Sequence, residues 1–187
     1  MAFLPIPPAG DLPDEARSAR DELLESRGRV PNVRAALLGH VPSFRAYLEW
    51  YTLKDELVPV LGEVGVTRLS HAISDENGDT AFSLFCRRAL EEAGEDVDAP
   101  RPGRETLLVD FGRHVARNPH GIPDELYERV AAAFPPEQRV QLVAFAGLVV
   151  AINVVNTVGR LPVDEELHPF QDAEPELAMD SLETGAE

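Results

Sequence analysis

Apolar residues recur at helical spacing along most of the chain, and no stretch alternates convincingly with period two. The pattern predicts an all-α protein of about seven to eight helices. Pro13-Asp14 opens a helix to about Arg27, with Leu23 and Leu24 on its apolar side and Gly28 as its stop. Asn32 is placed to cap a short helix ending near His40. Ser43 is placed to cap the next, to about Leu61, with Phe44, Tyr47, Leu48 and Tyr51 at helical spacing. Residues 64–74 and 79–93 read as a helical hairpin joined by the turn sequence Asp-Glu-Asn-Gly. A Pro/Gly-rich break over 96–103 precedes a helix over 105–117, which spaces Leu107, Leu108, Phe111 and Val115 along one face. The next helix carries Asp124 and Glu125 in its first turn, as the helix dipole prefers. Pro135-Pro136 breaks the chain again before a long apolar helix over about 137–160. The expected organisation is a proline-rich extended arm over 1–12, a helical domain over 13–163, and an acidic, disordered tail over 164–187.

Composition narrows the setting. A length of 187 residues suits one good core. The longest apolar run, 142–152, is eleven residues. A bilayer span needs about 20, so this run reads as a buried core helix. Asp and Glu number 33 against 17 Lys and Arg, and Lys54 is the only lysine. Such a surface repels phosphate backbones and anionic membranes, so neither nucleic acid nor membrane is expected as a partner. Nine of the acids lie in 164–187, and leaving them out takes the net charge from −16 to −7. High acid content with almost no lysine resembles the style of salt-adapted organisms; a GC-rich genome favouring Arg over Lys gives the same look. The N-terminus has no basic start and is broken by prolines, which reads as a cytoplasmic protein. One cysteine excludes an internal disulfide or a CxxC pair, and no histidine spacing suits a metal. No phosphate-binding glycine loop is present, and no cofactor is expected.

The most informative stretch is Asn77 to Gly94, NGDTAFSLFCRRALEEAG. Its frame resembles the central motif of the carboxymuconolactone decarboxylase and alkylhydroperoxidase D (AhpD) superfamily, roughly NGCxYCxxxH and eight residues to a glycine. The segment beginning Gly28-Arg-Val-Pro-Asn is similar to that superfamily's N-terminal region, and the long helix ends in Asn153 and Asn156 as the family's N-x-x-N does. The resemblance covers about 28–163 and implies an AhpD-like helical fold and a homo-oligomer (dimer, trimer or hexamer). It also implies where chemistry would sit. Asp79 and Phe82 stand at the two redox cysteines, Cys86 at the histidine, and Thr67 at the proton-relaying glutamate. None keeps the family residue, so the resemblance implies the fold of a thiol enzyme with its thiol pair removed.

Three functions follow as expectations. The first is a non-peroxidase scaffold or ligand-binding protein that takes a small molecule. The second is a cofactor-free enzyme acting by proton transfer on a small carbonyl or lactone acid, with His71 as base and Glu76 or Asp79 in support. The third is a single-cysteine antioxidant, because guanidinium groups beside a thiol favour thiolate and Cys86 precedes Arg87-Arg88. Each candidate also has a plain reading. Cys86 suits a packed core residue, Asp79 suits an N-cap, Gly147 suits close helix packing, and Asn153 and Asn156 suit ties between helices or a pocket wall.

Overall fold

The computed structural model describes residues 2–171. Seven α-helices follow one another: α1 Asp14–Arg27, α2 Asn32–Leu37, α3 Val41–Glu76, α4 Thr80–Glu92, α5 Arg104–Arg117, α6 Asp124–Ala133 and α7 Pro136–Gly159. Short 3-10 turns at Ala9–Asp11 and Glu165–Phe170 flank them, and no strand occurs among the described residues. The all-α expectation holds. So does the helix count, because α3 is two rods: Gly62 has φ 75° and ψ 161° inside it. That region of backbone space is almost restricted to glycine. Pro59, one turn earlier, lacks the N–H that would continue the ladder. The break lies between the two helices expected from the sequence.

The second rod of α3, residues 63–76, is the axis of the fold. Val66, Leu69 and Ile73 enter a core shared with Leu107, Leu108 and Phe111 of α5 and with Leu142, Phe145 and Val149 of α7. Gly112 of α5 permits the closest approach. A methyl there would meet the Leu69 carbonyl oxygen at 3.1 Å and Ile73 at 3.2 Å. Gly147, expected to mark such an approach, faces outward with nothing within 4 Å of a methyl at that position. α7 is long and apolar enough to cross a membrane, with a mean hydropathy of 2.1 over its most apolar window. Its inner face is instead packed on α3 and carries buried Asn153 and Asn156, as a core helix does.

Three sequence expectations shift. The 1–12 arm is anchored: the Phe3 and Leu4 N–H groups donate to the Gly159 carbonyl at 2.9 and 3.0 Å, and Leu12 joins Ala16, Leu23, Leu38 and Phe44 in a second, smaller core. Helix starts differ as well. Pro31 and His40, rather than Asn32 and Ser43, occupy the caps of α2 and α3, and the His40 ring meets the Ser43 hydroxyl at 2.7 Å. The acidic segment packs where it begins. Asp164 accepts the Asn32 backbone N–H at 2.8 Å, and Leu167 is buried beneath a turn that lies on α4. The rest of the expected tail, 172–187, lies outside the described residues.

Replacing Gly62 with alanine is expected to cost about 1–3 kcal/mol, because a side chain is strained at that φ and ψ. Gly147→Ala in α7 should instead stabilise by about 0.5–1 kcal/mol. Urea unfolding followed by circular dichroism measures both, and equal effects at the two sites would count against the break.

Candidate functional site: a buried carboxylate knot and an aromatic cavity

Asp79 ends the turn after α3 and caps α4. Its Oδ1 accepts the Phe82 N–H at 3.2 Å, the cap expected from the sequence. The other oxygen, Oδ2, accepts the Asn156 amide of α7 at 2.8 Å. Asn153, one turn earlier, turns its amide nitrogen to Asp79 Oδ2 at 2.9 Å and its oxygen to Asn77 Nδ2 at 3.1 Å. The Ser74 hydroxyl lies against the same amide at 3.1 Å. Asp79 is 3% exposed, and all its partners are neutral donors. Burial therefore raises its pKa above the ordinary 3.8, against the hydrogen bonds from Asn156, Phe82 and Ala81. The asparagines thus tie α7 to both the end of α3 and the start of α4.

Beside this knot lies a cavity of about 80 Å³. Phe82 and Phe85 of α4, Trp50 and Tyr51 of α3, Ile152 and Asn156 of α7, and Val33 and Arg34 of α2 form most of its wall. The rings interlock: Trp50 stands edge-on to Tyr51 at 5.0 Å and to Phe82 at 5.8 Å, and Phe82 stacks on Phe85 at 5.7 Å. Asp164 closes one side, held by the Asn32 N–H and by Arg29 at 3.7 Å. Of the residues singled out from the sequence, Phe82 and Asn156 reach this wall, and Asp79 and Asn153 support it from behind.

The others lie elsewhere. His71 is half-buried in a separate cleft of about 290 Å³ with Arg68, Asp75, Asp98, Asp110 and Arg113. Burial pushes its imidazole pKa down, with Asp75 opposing. The partners expected for it are engaged. Asp79 belongs to the knot, and Glu76 grips the Arg117 guanidinium at 2.6 and 3.0 Å. Thr67 donates its hydroxyl to the Glu63 carbonyl on its own helix at 2.8 Å.

Cys86 departs furthest from its sharper expectation. It is 1% exposed, and burial, then the Asp79 charge, pushes its thiol pKa upward. Arg88 points to Glu92 at 2.8 Å and Glu166 at 3.4 Å. Neighbours one and two positions along a helix do not share a face, so adjacency in sequence gives no thiolate. No cluster of three or more His, Cys, Asp or Glu is placed to hold a metal among the described residues. Sequence reasoning missed Trp50, Arg34 and Arg29. The one signal was the position of Arg29 and Arg34 around the Arg-Val-Pro-Asn segment, already noted for its resemblance; Trp50 carried none.

Three outcomes follow. Native protein should leave Cys86 unlabelled by a thiol probe, with the single thiol appearing only in denaturant; native labelling would contradict its burial. Asp79→Ala should lose about 2–4 kcal/mol in chemical denaturation, from the cap and the stranded asparagine amides. The native state favours the proton on Asp79, so its contribution to stability is fullest below about pH 3.8 and declines as pH rises through the raised native value. Asp79→Asn should flatten that part of the stability profile, and an unchanged slope would contradict the raised pKa.

No family model and no curated protein matches the chain. Solved structures do match. An uncharacterized peroxidase-related protein from Silicibacter sp. TM1040 gives a TM-score of 0.71 over 91% of this chain and 96% of its own, at 21% identity. An alkylhydroperoxidase AhpD core, an uncharacterized peroxidase-related protein from Ralstonia eutropha JMP134, gives a TM-score of 0.65 over 89% of this chain and 94% of its own, at 20% identity. Identity this low carries architecture and not chemistry. The chain therefore has the AhpD-like all-α fold.

Proposed function

We propose that this chain is a ligand-binding protein on the AhpD-like fold that has given up thiol peroxidase chemistry, with its ligand seated in the Trp50–Phe82 cavity. One observation carries the reading. The two positions that the resemblance aligns with redox cysteines hold Asp79, spent in a structural knot, and Phe82, spent in the cavity wall. Cys86 is the only thiol in the chain, and its burial disfavours the single-cysteine alternative. The engagement of its support residues disfavours the proton-transfer alternative, since Glu76 is held by Arg117 and Asp79 by Asn156. An apolar wall with a few polar groups at one end is the usual make-up of a small-molecule site.

The same reading includes self-association. The outer face of α7 exposes Val140, Val143, Val154 and Val158, each more than half accessible, at helical spacing. Between Arg139 and Arg160 that helix carries no charged residue. A second copy of the chain covering this face would remove the stripe from water.

A fragment screen read by Trp50 emission and melting temperature tests the cavity, since Trp50 is the only tryptophan. Small apolar acids, amides and alcohols should produce hits, and Ala81→Leu, which enlarges a residue of the cavity wall, should abolish them. Hits that survive Ala81→Leu, or none at all, would refute the assignment. Peroxide consumption with a dithiol reductant should stay at background; turnover lost in Cys86→Ser would restore the thiol reading. Light scattering should find an oligomer that Val143→Glu dissociates, whereas a wild-type monomer would remove the self-association.

A further inference from the structure

The chain buries two arginines almost completely, and they are treated differently. Arg68, 1% exposed, faces Glu95 and Glu105 at 3.5 Å each and donates to the Val97 carbonyl at 2.8 Å. Arg34, 3% exposed, has no carboxylate at ion-pair distance among the described residues, and its Nη1 has no hydrogen-bond partner there. Its compensation is neutral and comes from Tyr51, through a side-chain hydrogen bond and through the ring, 5.5 Å from the guanidinium carbon. A buried guanidinium without an anion is costly, and a partner is the usual remedy.

Arg34 lines the aromatic cavity, and a second unpartnered donor lines it too. Trp50 Nε1 is buried with no acceptor among the described residues. The one carboxylate on the wall, Asp164, is already engaged by Arg29 and the Asn32 N–H. Two spare donors and one positive charge without a carboxylate thus belong to residues of the cavity wall, amid apolar rings. The complement is a single negative charge with two acceptor oxygens, no donor, and an apolar body. A volume of about 80 Å³ is well below the ~150 Å³ that accepts benzene, which limits the body to a few carbons.

Resting on the cavity being a ligand seat, we infer that it takes a short-chain monocarboxylate. The carboxylate lies on Arg34 and the aliphatic end lies against Phe82, Phe85 and Ile152. Planar guanidinium matches a carboxylate through two parallel hydrogen bonds. A dianion such as phosphate would leave a second charge facing apolar walls.

The test titrates the full chain with butyrate, butyramide and inorganic phosphate at matched ionic strength, reading Trp50 emission and melting temperature. Butyrate should bind at least about tenfold more tightly than its neutral amide, the factor that one charge-assisted hydrogen bond supplies. Phosphate should do no better than the amide. Arg34→Met should erase the butyrate preference without lowering the melting temperature, because it replaces an unpaired buried charge with an apolar chain of similar length. Equal binding of butyrate and butyramide, or a preference that survives Arg34→Met, overturns the carboxylate assignment and leaves the cavity as a ligand seat. Phosphate matching butyrate also overturns it, as a site for anions of any kind. Silence from all three while other fragments bind sinks the ligand class alone; silence from every fragment sinks the seat as well. Should Arg34→Met not fold, the butyrate and butyramide comparison on wild-type protein decides the matter.

Discussion

The carboxylate of Asp79 is where the helices of this protein are fastened to one another. It caps α4 through the Phe82 N–H, receives the Asn156 and Asn153 amides of α7, and follows directly on the end of α3. Two consecutive helices and a third, α7, more than seventy residues later by the Asp79–Asn156 spacing of 77, meet at one residue. Among the described residues the hydrogen bonds to this carboxylate come from neutral donors, so it relies on the asparagine amides. The knot in turn fixes which face of α4 turns inward, and so places Phe82 and Phe85 in the cavity wall and Cys86 in the packed interior.

Much of the scaffold was legible from residue order. Glycine stops, acidic first turns and helical spacing of Leu and Phe gave the helices nearly to their ends, and the Asp-Glu-Asn-Gly turn gave the hairpin with Asp79 as its cap. These signals are local, and local physics decides them. The candidate site was less legible because its decisive pairings are long-range. Glu76 looked available for catalysis until Arg117, forty-one residues later, took both of its oxygens. The burial of Arg34 carried no signal in the sequence, since nothing in a six-residue helix announces it. Cys86 beside two arginines suggested a reactive thiol, whereas the rotation of about 100° per residue separates them in space.

The acidic balance of the chain also takes on local meaning. Around the cavity mouth the sign reverses: Arg27 and Arg34 face Tyr51, and Arg29 lies over Phe85. Some of that positive charge is cancelled by Asp164 and Glu166, carried on the segment after α7. The acidic stretch therefore begins as part of the cavity wall.

The break at Gly62 divides labour within α3. One rod, 41–61, lends Trp50 and Tyr51 to the cavity; the other, 63–76, lends Val66, Leu69 and Ile73 to the shared core and ends at the knot. An unbroken helix transmits rotation along its hydrogen-bond ladder, so a bulkier wall residue would twist the core rods with it. Here the ladder is interrupted between them. The cavity wall can be recut by substitution in the first rod while the second holds its register.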